Sequence, residues 1–282
     1  MIAKNLMVIF GGEDIESAAA RVIAAQAGCV IATATTADGK KVHGGNAYQA
    51  SSHVVDSGDA TCVTHVVIFE CAPATAGAFE VVAHCDHHNP GDVGWGKGAS
   101  QYWEASSLGQ LCSLLGVEPT PHLRLVAAGD HSPAGAYLGQ CPGVEPSEFA
   151  SWRIEGKVAF YATNPKTAHK ADAGKIRAVM EAAQAVLLAA QMINGVRDLR
   201  AVGEVEELPE AALSTGQAYM ASLPDTDRER KLTGNIKIVL GGHTTPDAVD
   251  DFMAWGNSLA NKVGPAYGNP TRGFAGVVIK PE

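Results

Sequence analysis

The chain has 282 residues, 46% hydrophobic and 18% charged, an ordinary globular composition large enough for one big domain or two smaller ones. Its formal charge of −9 argues against binding long duplex nucleic acid, which needs a basic surface, but leaves room for a nucleotide or short oligonucleotide held by a metal ion and a few local cations. No segment approaches the roughly 18 apolar residues of a membrane span, no basic leader opens the chain, and six cysteines without a CxxC pair fit reduced thiols, so a cytoplasmic protein is expected.

In chain order, Leu6 to Phe10 reads as a strand, Gly11 to Asp14 as a turn and Ile15 to Ala27 as an Ala-rich helix. Cys29 to Thr35 and Thr64 to Phe69 read as strands, the second ending at Glu70. Phe79 to Ala83 is a strand that runs into His84-Cys85-Asp86-His87-His88. Ser106 to Leu115 carries leucines on one helical face, and Leu123 to Ala128 reads as a further strand ending at Gly129-Asp130-His131. This alternation predicts an α/β fold, a largely parallel sheet with helices on both faces.

After Cys141-Pro142-Gly143 the pattern changes. Pro146 to Phe160 and Lys166 to Asn194 are helical by composition. Val196 to Val205, Gln217 to Ser222, Asn235 to Leu240 and Gly273 to Lys280 read as strands. Thr245-Pro246 opens a helix between the last two, a cap followed by proline at the first helical position. The charged stretch Asp225 to Lys231 reads as a solvated loop. The expected organisation is a first α/β domain over 1–155, a helical linker over 156–195 and a smaller α/β domain over 196–282.

The densest chemical feature is Asp86-His87-His88 at a strand's exit. Four expected strand ends carry acids or imidazoles: Asp14 and Glu16, Glu70, Asp86-His87-His88, and Asp130-His131. Parallel strands would bring these ends to one rim of the sheet, where ligands bind in open α/β sheets. Carboxylates crowded together raise one another's pKa, and a bound dication removes that penalty. Three or four carboxylates with an imidazole suit Mn2+, with Mg2+, Fe or Zn2+ as further candidates. Asp14 also stands where a helix cap belongs.

These segments resemble the DHH phosphoesterase superfamily, named for its Asp-His-His motif. Val81 to His88 is similar to the family's third motif, Gly12-x-Asp14-x-Glu16-Ser17-Ala18-Ala19 to the first, Val66 to Glu70 to the second and Ala127 to Asp130 to the fourth. The order agrees across roughly residues 5–140, and Gly268 to Gly276 faintly resembles the glycine-rich motif of the family's second domain. The resemblance implies metal ligation by Asp14, Glu16, Glu70, His87 and Asp130, a contact between His88 and the scissile phosphate, and Arg272 as a phosphate clamp. Gly12 stands where the family often has a metal-binding His, and Glu16 and Glu70 replace Asp.

The function expected from this is metal-dependent hydrolysis of a phosphoester in a nucleotide or short oligonucleotide, bound in a cleft between domains. Asp86 would orient His87 or His88, and His88 and Arg272 would stabilise phosphoryl oxygens. No membrane partner is expected, and a homodimer is compatible with the sequence. The alternative, motivated by Gly12 and the two glutamates, is a non-catalytic nucleotide-binding or sequestering protein on the same fold. A third reading is a Zn2+ enzyme built around His84, Cys85 and His87. Trp95, Trp103, Tyr102 and Tyr137 are candidates either for stacking on a base or for packing.

Overall fold

The computed structural model describes residues 5–227, 231–270 and 273–281. The chain is mixed α/β with two sheets, and divides after Glu145 into two compact units. Among the described residues no helix is long and apolar enough to cross a membrane.

In the first unit, β1 (Leu6–Phe10) lies between β2 (Val30–Thr35) and β4 (His65–Phe69), parallel to both. β5 (Glu80–Cys85) extends the parallel set beyond β4, and β3 (Ser52–Ser57) pairs antiparallel with the far side of β2. The apolar runs of β1 and β4 are buried on both faces, as the centre of a parallel sheet requires. The chain leaves β1 to form β2 on one side and returns to pair β4 on the other. The topological switch therefore lies between β1 and β4, where open α/β sheets bind ligands beyond the strands' carboxyl ends.

Side-chain alternation splits the core between the sheet's faces. Met7, Ile9, Ala32, Val66 and Ile68 pack with Val42, Ala47, Ala50 and Ala76, from connections that carry 3-10 turns at Ala47–Gln49 and Pro73–Ala76. Phe10 and Phe69 point to the other face, their ring centroids 5.0 Å apart, with Arg21 of α1 (Ile15–Gln26) above Phe10. Beyond Cys85 come α2 (Tyr102–Ala105), α3 (Ser107–Leu115), α4 (Pro121–His131) and α5 (Pro133–Tyr137), and α1 packs against α3 and α4. Tyr102 is wholly buried with its hydroxyl donating to the Pro142 carbonyl, so it is core and not a stacking platform.

The largest departure from the expected elements is Leu123 to Ala128, which belongs to α4 and not to a strand. Thr120 caps this helix through Leu123 N–H, Pro121 takes its first position, and Leu123, Val126 and Ala127 are buried at helical spacing. A short apolar run reads equally well as strand or buried helix, and the Thr-Pro start is the feature that separates them. Asp130 therefore comes from the last turn of a helix, not from a strand end. β3 carries no strand signal in the sequence, because Ser52–Ser57 is an almost fully exposed edge with no buried alternation.

The second unit begins ten residues before the expected boundary, where Pro146 opens α6 (Pro146–Thr163), and includes the segment expected to be a linker. α7 (Ala173–Ala189) starts at its cap Asp172, and β6 (Gln191–Ile193) takes the end of the expected long helix. Leu187 of α7 is buried with Leu199 of β7 (Val196–Leu199), Leu208 of α8 (Leu208–Thr215) and Tyr219 of β8 (Ala218–Thr226). Arg153 of α6 holds the buried Glu210 of α8 through two hydrogen bonds of 2.8 and 2.6 Å, and Lys157 and Tyr161 hold Glu207. These contacts explain why both helices belong to this unit's core.

The sheet order is β10-β11-β9-β8-β7-β6, with only β7 and β8 parallel. α9 (Pro246–Ser258) covers the face formed by Ile238 and Leu240 of β9 (Leu232–Gly242) and by Ala275 and Val277 of β11 (Phe274–Ile279), while β10 (Tyr267–Asn269) forms an edge. The charged stretch expected as a loop partly enters β8, and its residues 228–230 lie outside the described residues, as does Arg272.

Candidate metal centre

Three exits from the first sheet and two helix ends converge at the topological switch. Glu16 sits in the first turn of α1, Glu70 directly follows β4, and Asp86, His87 and His88 follow β5. Ser107 opens α3, and Asp130 closes α4. One ligand atom each from Glu16, Glu70, His87 and Asp130 lies within 4.8 Å of the other three, and Glu70, His87 and His88 form a second such grouping.

Close backbone packing makes this convergence possible. A Cβ on Gly11 would stand 2.0 Å from the Glu70 carbonyl oxygen, so glycine lets the exits of β1 and β4 touch. Glu70 itself has φ of 50°, a left-handed conformation unfavourable for a residue with a Cβ and tolerated where the surroundings impose it. A Cβ on Gly94 would lie 2.0 Å from the Ala105 carbonyl oxygen and 2.5 Å from His87 Cβ, which brings the 89–98 loop against His87.

Glu16 is 1% exposed. Its Oε1 accepts Leu108 N–H at 3.0 Å, from the amino end of α3, where helix amides favour negative charge. No hydrogen-bond donor reaches Oε2, which is buried among acidic neighbours. Burial, then the charges of Asp130 and Glu70, push the Glu16 carboxyl well above the ordinary range. Burial and Asp130 likewise raise Glu70 to about 7, against the opposing pull of His88 and His87. Asp130 is the solvent-facing member, its side chain 29% exposed, with Oδ2 3.1 Å from His87 Nε2. Burial acts to raise its pKa, but the His87 contact outweighs this and lowers it.

Ser107 sets the orientation of His87. Its Oγ–H donates to Glu70 Oε1 at 2.8 Å, which leaves Oγ to accept from His87 Nδ1 at 3.3 Å. A proton kept on Nδ1 and given to Ser107 would free Nε2, which now lies 3.1 Å from Asp130 Oδ2, to ligate a metal once its own proton is displaced.

Asp86 is the second organising group. It is wholly buried, and its Oδ1 accepts His87 N–H at 2.7 Å, His88 N–H at 3.0 Å and His88 Nδ1–H at 3.0 Å. The Tyr48 hydroxyl reaches Oδ2 at 2.8 Å and Oδ1 at 3.0 Å. Burial acts to raise the Asp86 pKa, but His88 and Tyr48 outweigh it and take it to about 2. An ionised Asp86 makes His88 Nδ1 the donor. Gln110 pins the same residue to α3, accepting Asp86 N–H and donating to Asp86 O.

The structure thus gathers four of the five residues expected as ligands. Asp14 stands apart: its Oδ1 accepts Ser17 N–H at 2.7 Å in a capping box, and it acts on Glu70 only as a nearby charge. The Zn2+ reading gains nothing, because no ligand grouping among the described residues includes His84 or Cys85. Cys85 is core, its thiol pushed up to about 12 by burial, and His84 Nε2 contacts the Cys71 carbonyl. Ser107, Gln110 and Tyr48 were absent from the expected site. Their partners lie 20 to 38 residues away in sequence, beyond the reach of any local motif.

No protein-family model matches the chain, and no curated protein matches it either. The assignment of a ligand therefore rests on the donor set. Three carboxylates and one imidazole, with a buried oxygen that no donor reaches, fit a divalent cation.

This electrostatics predicts an unusual pH response for metal-free protein. Glu70 rises from an ordinary 4.5 to about 7 on folding, so its contribution to stability is full below about 4.5 and is lost as pH climbs through 7. His131, driven by burial from 6.5 down to about 4, acts the opposite way, but only below about 6.5. Between about pH 6.5 and 8 the metal-free protein should therefore lose roughly 1 kcal/mol, and saturating Mn2+ should abolish the loss. Urea unfolding at the two pH values checks this, and metal-free stability that is flat or rising across the window contradicts it.

Proposed function

We propose that the chain is a metal-dependent phosphoesterase acting on a nucleotide or short oligonucleotide. The observation that carries this reading is the Glu16, Glu70, His87 and Asp130 grouping, with the undonated Glu16 Oε2 inside it. The likeness of the surrounding segments to the DHH phosphoesterases supports it by residue order, with Mn2+ as the favoured ion and Mg2+, Fe and Zn2+ as rivals.

Bound by these four residues, a divalent cation supplies Lewis-acid charge and lowers the pKa of a water molecule toward neutrality. The chain's own groups do the rest. Glu16, Glu70 and Asp130 would balance the cation's charge, and Ser107, within reach of Nδ1, would hold His87 in the ligating tautomer. His88 is the substrate-facing group: Nδ1 is committed to Asp86, so a proton exchanged with a phosphoester oxygen passes through Nε2. The ionised Asp86 favours positive charge on that ring as negative charge grows on the phosphoryl oxygens.

The test pairs metal analysis with turnover of two probes, bis(p-nitrophenyl) phosphate and a diadenylate. The proposal expects one or more equivalents of Mn2+ and hydrolysis that requires it. Bound metal with both probes left intact would overturn hydrolysis and favour the non-catalytic nucleotide-binding alternative.

A further inference from the structure

We propose that Tyr48 is a positioning residue of this centre, fixing His88 through Asp86, an inference that deepens the phosphoesterase reading and rests on it for its kinetic consequence. Tyr48 lies on the 3-10 turn 47–49 in the connection between β2 and β3, remote in sequence from the Asp-His-His segment. The turn is anchored by Ala47, which is buried in the core on that face of the sheet. The Asn46 side chain closes the same loop by accepting His43 N–H at 2.8 Å.

Tyr48 is 40% exposed, so burial of its ring gives only part of what a core tyrosine would contribute. Its hydroxyl nonetheless reaches a wholly buried carboxylate, 2.8 Å from Oδ2 and 3.0 Å from Oδ1. The pattern of donors around Asp86 gives this contact its meaning. His87 N–H, His88 N–H and His88 Nδ1–H all converge on Oδ1. On Oδ2 the close donor is Tyr48, with His84 Nε2 farther off at 3.5 Å. A carboxylate held at one oxygen pivots about it, and a donor at the second oxygen fixes its plane. That plane sets the direction of the His88 Nδ1 bond and hence of the ring.

Tyr48 also confines the ring sterically. Its centroid is 6.3 Å from that of His88, and His87 stacks on His88 at 4.2 Å. Its hydroxyl hydrogen-bonds Asp86 and none of the four gathered ligand residues, so its loss should disturb His88 and leave the metal in place.

The experiment compares wild type with Tyr48→Phe, which removes only the hydroxyl. With bis(p-nitrophenyl) phosphate and Mn2+, kcat should fall tenfold or more, with KM and Mn2+ stoichiometry within twofold of wild type. In metal-free protein carrying 15N-labelled histidine, the His88 ring resonances should shift from the Nδ1–H pattern toward a tautomer mixture, and Asp86→Asn should move the same resonances. Unchanged kcat together with unchanged His88 resonances overturns the proposal. So does a fall in kcat matched by equal losses of metal affinity and melting temperature, which marks a plain structural role. If wild type leaves the probe intact, the phosphoesterase reading fails on its own, and the resonances alone then decide whether Tyr48 positions His88.

Discussion

Glu16→Gln should raise the stability of the metal-free protein in alkaline solution and at the same time remove its response to Mn2+. Glu16 Oε1 is satisfied by Leu108 N–H, and a glutamine keeps that bond through its amide oxygen. Oε2 has no donor and sits among Glu70 and Asp130, so an amide NH2 in its place supplies donors where three acids now crowd. Burial makes Glu16 and Glu70 keep their protons up to neutral pH, so the gain belongs to alkaline solution, where both are ionised: there, relief of the repulsion should add about 1 to 3 kcal/mol to the metal-free fold. The same change removes one anionic ligand from the set, and Mn2+ affinity should fall on the order of a hundredfold or more. Wild type at a hundred times its Kd gains about 2.7 kcal/mol from the ion, and the variant should gain almost none. Calorimetric melting with and without Mn2+ reads both effects. A metal-free Glu16→Gln protein less stable than wild type in alkaline solution would mean that Oε2 has a structural partner, and the metal reading of the cluster would lose its main support.

The second large effect belongs to Asp86. This carboxylate is fully buried and accepts from two backbone amides, one imidazole and one phenol. Asp86→Ala leaves those donors buried without their acceptor and should cost about 3 to 5 kcal/mol, the range for breaking a buried charged network. Asp86→Asn keeps the shape but not the charge. It should cost less, and with Mn2+ still bound it should reduce phosphoester turnover by about two orders of magnitude, the scale of a lost proton-transfer partner. Denaturant unfolding and turnover by the two variants separate the structural role from the electrostatic one. Turnover by Asp86→Asn within threefold of wild type would remove Asp86 and His88 from the chemistry.

How far the sequence revealed this depends on the range of each interaction. The strand exits at Glu70 and at Asp86-His87-His88 were visible because apolar runs end abruptly in acids and imidazoles. The apolar run before Asp130 reads as a strand but is the buried face of α4. Asp130 still joins the other ligand residues because the end of α4 reaches the same rim. Asp14 shows the converse: its spacing suits both a cap and a ligand, and the capping box with Ser17 engages its Oδ1. Ser107, Gln110 and Tyr48 left no trace in the sequence, because a serine after a serine or a tyrosine in a turn becomes informative only when the fold brings it to Glu70 or Asp86. The limits of the two units were legible only coarsely. An Ala-rich helix such as α7 reads alike as linker and as core until Leu187 is found packed on Leu199 and Tyr219.

Glu16, Glu70, His87 and Asp130 are proposed to hold one divalent cation. Crystals of the intact protein grown with Mn2+ and measured at the manganese absorption edge test it directly. An anomalous peak is expected at bonding distance from Glu16 Oε2, His87 Nε2 and at least one oxygen each of Glu70 and Asp130. Fully occupied, well-ordered side chains at these positions with no anomalous peak between them, in crystals saturated with the ion, would contradict it.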